Sequence, residues 1–114
     1  MHELGYAVQL VDTLKDFIAE NGLSEISSVT LSVGEATAIV PRFFHECWPA
    51  AIEDEPALKN CELKIDFVKA TGRCHDCEKE FIISDNHGKC PGCGSEDYDF
   101  ITGYEFEISE IHGK

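Results

Sequence analysis

Two close cysteine pairs, Cys74-x2-Cys77 and Cys90-x2-Cys93, separated by twelve residues, constrain this chain more than any other feature. A Cys-x2-Cys pair places two thiolates on one tight turn, and two such turns facing each other complete a tetrahedron around Zn²⁺. Pro91 and Gly92 fill the second loop, where a turn and an unhindered backbone let amides approach sulfur, and Gly72 and Gly94 flank the block. Four thiolates leave no open position for water, so the pattern reads as structural zinc in a small ribbon rather than a hydrolytic centre. Iron with the same ligands is one alternative. A redox dithiol is another, although that chemistry calls for a single pair within a βαβ pattern. His75 and His87 lie inside the block and read as solvated loop histidines, or as ligands that exchange with a thiolate under acid or altered metal load. Cys47 and Cys61 stand alone at apolar positions and read as core.

A chain of 114 residues makes one compact unit or two very small ones, and a metal staple is a common remedy for so limited a core. Six cysteines in a secreted chain of this length would suggest disulfides. The opening Met1-His2-Glu3, however, has no basic region followed by an apolar run, which points to a reducing cytoplasm. No apolar run approaches the ~20 residues needed to span a bilayer. The formal charge of −13 argues against nucleic acid and against anionic membrane surfaces. It suits solubility, cations or a basic partner protein.

The remaining sequence reads as α+β. Leu4, Ala7, Val8, Val11, Leu14 and Ile18 fall on one helical stripe over 3–20, with Asn21-Gly22 as the stop. Val29, Leu31 and Val33 alternate with Ser28, Thr30 and Ser32 as a half-buried strand. Pro41 opens a second helix whose buried face would be Phe44, Cys47, Trp48 and Ala51. Cys61, Leu63, Ile65 and Phe67 alternate as a second strand, and strand–helix–strand of this length predicts a parallel pair. Tyr104, Phe106 and Ile108 alternate as a third strand returning to the first sheet. The expected fold is a small two-helix, three-strand domain (1–70 plus 101–114) with an inserted four-cysteine zinc-ribbon domain (71–100).

The N-terminus offers a second metal chemistry. The amine of Met1, the backbone nitrogen of His2 and its imidazole can close two fused chelate rings on one ion. Such a strong-field, planar nitrogen set suits Ni(II) or Cu(II). The Glu3 amide, another side chain or a partner would supply the fourth donor. Glu3 also has a simpler role, as a carboxylate in the first helical turn. No nucleophile–base pair, phosphate-cradling glycine loop or open zinc position is apparent, so the chain does not read as an enzyme.

Met1-His2-Glu3 opening a helix, Val33-Gly34-Glu35 ending a strand before a second helix, the paired Cys-x2-Cys ribbon, and Thr102-Gly103 leading into the last strand together resemble the HypA family of hydrogenase-maturation nickel chaperones. The resemblance covers essentially the whole chain. It implies that the N-terminal domain binds transient Ni²⁺ through Met1 and His2, with Glu3 assisting by backbone or carboxylate, while structural Zn²⁺ in the ribbon holds the fold. It implies as partners a HypB-type GTPase and the large subunit of [NiFe] hydrogenase, in some relatives the urease system, together with weak self-association. Some relatives carry an acidic residue before the second helix where this chain has Val40, which leaves Glu35 or an outside group to replace it. The competing function is a zinc-ribbon interaction adaptor with no second metal.

Overall fold

The computed structural model describes residues 3–114. Helix α1 (Glu3–Asn21) leads into strand β1 (Ile26–Gly34), a 3-10 turn (Glu35–Thr37) and helix α2 (Pro41–Ala51). A second 3-10 turn (Pro56–Leu58) precedes β2 (Glu62–Val68). Then come β3 (Thr71–Cys74), β4 (Glu80–Ile82), a third 3-10 turn (Ser84–Asn86), β5 (Tyr98–Thr102) and β6 (Phe106–Gly113). The strands form two three-stranded sheets, ordered β2-β1-β6 and β4-β3-β5. The fold is therefore α+β, with the cysteine-bearing sheet inserted between β2 and β6.

The first sheet follows the strand–helix–strand pattern. β2 runs parallel to β1, with Val29 opposite Leu63 and Leu31 opposite Ile65, and β6 returns antiparallel on the other side. The alternation in β1 is realised on its apolar side, where Val29, Leu31 and Val33 are at most 1% exposed, but Ser28 is buried as well, at 8%. These side chains meet α1 and α2 in a core that includes Leu10, Leu14, Ile39, Phe44, Trp48 and Leu58. Each such large apolar side chain contributes on the order of 1.5–3 kcal/mol on burial. Trp48 buries its ring and donates its indole N–H to the Cys61 carbonyl at 3.1 Å, so the polar end is satisfied.

Several details depart from the sequence pattern, among them Phe67 of β2, which is 48% exposed although it alternates with the apolar residues. The buried side of α1 is Glu3, Ala7, Leu10, Val11 and Leu14, whereas Leu4 and Val8 are 44% and 48% exposed. At 100° per residue this is a rotation of about 50° from the apolar stripe. It brings Leu10 inward and turns Glu3 toward α2. Tyr104 lies outside the third strand and is 64% exposed, its ring 5.0 Å from that of Phe100. Within β6 the register slips between Thr30 and Leu31, leaving Ser109 as an extra residue. This bulge lets both Ile108 and Ile111 pack on the core, which strict alternation would forbid.

Candidate metal centre

The second sheet has a much smaller core: Cys74, Phe81 and Cys90, with Ile83 and Tyr98 packed against it. Two of its three buried members are thiols of the cysteine block. The two Cys-x2-Cys loops are built alike. In each, the first cysteine's carbonyl accepts from the amide four residues on, Cys74 from Glu78 at 2.9 Å and Cys90 from Gly94 at 2.7 Å. Its own amide donates to the carbonyl five residues on, that of Lys79 or Ser95. The fifth residue of each loop takes a left-handed conformation, φ 62° at Glu78 and 78° at Gly94. Glycine adopts this freely and glutamate at some cost.

These turns bring all four sulfurs within 4.8 Å of one another. Cys74 and Cys93 are 3.5 Å apart, and Cys77 and Cys90 are 3.4 Å apart. A tetrahedral zinc–thiolate site, with bonds of about 2.3 Å, has sulfur–sulfur edges of about 3.8 Å. The donor set therefore fits a four-coordinate soft-ligand metal. Backbone donors already favour sulfur anions here. The Gly92 amide lies 3.3 Å from the Cys90 sulfur. The Cys77 amide, and then that of Asp76, draw the Cys74 thiol down to about 7. Burial opposes ionisation of Cys90, but the Cys93 and Gly92 amides outweigh it and lower that thiol too. Cys77 and Cys93 move the other way. Each receives an amide, from Lys79 and Ser95 respectively, yet the neighbouring thiols and burial raise Cys77 and push Cys93 up to about 12. Four clustered thiols do not all ionise unaided, and a bound cation would supply the compensating charge.

The other residues singled out in the sequence are placed differently. Cys61 is buried, its thiol pushed up to about 11 by desolvation, and Cys47 is half-buried against the same core. His87 ends the third 3-10 turn in a left-handed conformation and is exposed. His75 is held between two carboxylates, Nδ1 2.8 Å from Asp97 and Nε2 2.7 Å from Asp99. The alternating Asp97-Tyr98-Asp99 at the entry to β5 is the sequence signal for this clamp, but it is meaningful only once β5 is known to lie beside β3.

At the N-terminus, Met1 and His2 lie outside the described residues. Glu3 is 3% exposed, and its Oε2 accepts from the Val40 amide at 3.3 Å. Val40 is the N-cap residue of α2, whose first turn carries no acidic residue of its own. The Glu3 carboxylate thus sits at the positive end of α2, ahead of Pro41. Glu35, the acidic alternative to Val40, points elsewhere: its Oε1 accepts from the Ala70 amide at 3.0 Å and from the Ser84 hydroxyl at 3.4 Å. Among the described residues, no helix is long and apolar enough to cross a membrane.

Comparison with known proteins agrees across the full length. The family described as "Hydrogenase/urease nickel incorporation, metallochaperone, hypA" matches residues 1–113. The hydrogenase maturation factor HybF of Klebsiella pneumoniae is 30% identical over 114 residues, spanning all of both chains. The hydrogenase maturation factor HypA of Desulfatibacillum aliphaticivorans is 35% identical over 112 residues, covering 97% of this chain and 85% of that one. The solution structure of the Ni metallochaperone HypA from Helicobacter pylori superposes with a TM-score of 0.72 at 23% identity, over 99% of this chain and 97% of that one. At that identity the likeness is one of fold. The chain belongs to the HypA family of nickel-incorporation metallochaperones.

Proposed function

We propose that this protein binds one Ni(II) at its N-terminus and delivers it during maturation of [NiFe] hydrogenase, while Zn(II) on Cys74, Cys77, Cys90 and Cys93 holds the ribbon. The observation that carries the reading is the family match, which begins at residue 1 and so includes the Met1-His2-Glu3 start. The Met1 amine, the His2 amide nitrogen and the His2 imidazole supply three nitrogen donors. The Glu3 carboxylate is engaged with Val40, which supports its amide as the fourth donor and a partner group as the displacing ligand. In this arrangement the carboxylate anchors the start of α1 against α2. Donors at a chain end can be replaced one at a time, which keeps the barrier to transfer low.

The nickel-handling domain comprises 1–70 with 101–114, and the ribbon 71–100. A HypB-type GTPase and the hydrogenase large subunit are the partners, in the cytoplasm, with weak self-association of the chain. The protein acts as a carrier, not an enzyme.

Calorimetric nickel titration of the zinc-loaded protein tests this, beside His2→Ala and a variant with one glycine inserted before Met1. The native protein is expected to bind one equivalent with at most micromolar-class affinity, on the order of −8 kcal/mol, and both variants to lose it. Equal binding by all three would leave a zinc-stapled adaptor.

A further inference from the structure

The two sheets are joined by two chain crossings, 69–71 going out and 102–105 coming back. The crossings are tied to each other at the base of the second sheet. The Thr102 hydroxyl donates to the Lys69 carbonyl at 2.8 Å, the Thr71 amide donates to the Thr102 hydroxyl at 3.2 Å, and the two hydroxyls lie 2.7 Å apart. This base rests on the segment that ends β1. Gly34 and Ala36 donate their amides to the carbonyls of Glu105 and Gly103, both at 2.7 Å. The approach is so close that a Cβ at Gly34 would overlap the Gly103 carbonyl. That backbone seam holds the returning crossing.

The outgoing crossing is held differently. The Ala70 amide is buried and donates to the Glu35 carboxylate at 3.0 Å, while the Ala70 carbonyl accepts from the Ile83 amide of the second sheet's layer at 3.0 Å. Ser84, next to Ile83, donates its hydroxyl to the same Glu35 oxygen. A single attachment would leave the ribbon free to swing about the Ala36–Gly103 seam, and a second attachment off that axis removes the freedom.

We infer that Glu35 is a positioning residue whose carboxylate locks the orientation of the ribbon against the nickel-handling half, so that a partner meets both halves as one rigid surface. This holds whether or not nickel binds at the N-terminus. Loss of the carboxylate releases a hinge without unfolding either half, because neither core contains Glu35.

The test is NMR on the zinc-loaded full chain, with residual dipolar couplings and ¹⁵N relaxation measured for wild type, Glu35→Ala, Glu35→Asp and Glu35→Gln. Wild type is expected to fit one alignment tensor across both sheets. Glu35→Ala and Glu35→Asp (too short to reach Ala70) are expected to lose the shared tensor and tumble as two bodies. Amide shifts within β3–β5 and the Co(II)–thiolate absorption of the substituted ribbon stay as in wild type. Glu35→Gln keeps an acceptor oxygen and restores the single tensor. If Glu35→Ala does not fold, Glu35→Asp carries the test. A shared tensor in the shortened variants, or two tensors already in wild type, would overturn the lock. Nickel titration of the same wild-type sample reports on the N-terminal chelate separately, since its failure would leave the tensors unchanged.

Discussion

His75 follows a cysteine of the metal cluster directly, yet both of its ring nitrogens are engaged by carboxylates. An imidazole held this way donates from both nitrogens only when protonated, so the pairs favour the cation. The Asp99 hydrogen bond, and then that of Asp97, raise the His75 pKa above 6.5. The folded state therefore binds this proton more tightly than the unfolded chain. The resulting stabilisation is fully present below pH 6.5 and is lost as pH rises through the elevated folded value. It also opposes the exchange of His75 onto the metal considered from the sequence, because a doubly paired imidazolium has no lone pair to give. An NMR titration of the His75 ring in zinc-loaded protein is expected to show a midpoint above 6.5, shifted downward in Asp99→Asn. A midpoint unmoved by that substitution would mean the clamp does not persist in solution.

At the scale of elements, the ribbon is expected to depend on a bound metal in a way the first sheet does not. Among the described residues, the β3-β4-β5 layer has an apolar core of three, two of them candidate ligands, whereas the β2-β1-β6 sheet and its helices rest on a separate core of fourteen. Where ligands make up most of a core, metal binding energy is folding energy. Chelation of the zinc-loaded protein is accordingly expected to collapse the amide dispersion of residues 71–102 while the shifts of β1, β2 and α1 persist. A ribbon still folded after complete chelation would remove the structural role of the metal. Loop geometry adds a smaller effect. Glu78 holds a left-handed conformation where the matching position of the second loop has Gly94, so the first loop carries strain that the second avoids.

The whole molecule is extended, with principal dimensions of 54 × 28 × 16 Å and a Cα radius of gyration of 17.5 Å. A compact chain of this length would be near 13 Å. Two small lobes end to end expose more surface per residue than one globule, and here that surface carries a formal charge of −13. Long-range attraction to a basic partner patch is screened over roughly 8 Å at physiological salt. Association with the proposed GTPase partner is therefore expected to slow and weaken as salt rises from about 0.05 to 0.5 M, mainly through the on-rate. A binding rate independent of salt would assign the acidic surface to solubility alone.

Local chemistry made much of this legible in advance. Cysteine spacing announces clustered thiols, because a Cys-x2-Cys turn is a short-range object closed by hydrogen bonds among its own few residues. Alternation in Val29–Val33 and Pro41 at the head of α2 likewise declare their elements, and strand–helix–strand order carries the parallel pairing of β1 with β2. Tertiary structure decided the rest. The rotation of α1 that buries Glu3 rather than Leu4 follows from what α2 offers it, a helix N-terminus thirty-seven residues away in the chain. The clamp on His75 requires β5 beside β3, and the Ser109 bulge requires β1 as a template. Glu35 reads from the sequence as one acidic residue after a strand, and it becomes a strut only when Ala70 and Ser84, thirty-five and forty-nine residues on, arrive at its carboxylate. Periodicity and spacing report what a residue does with its near neighbours in the chain, whereas a polar side chain's partner is chosen by packing, which brings distant segments together and leaves no period to read.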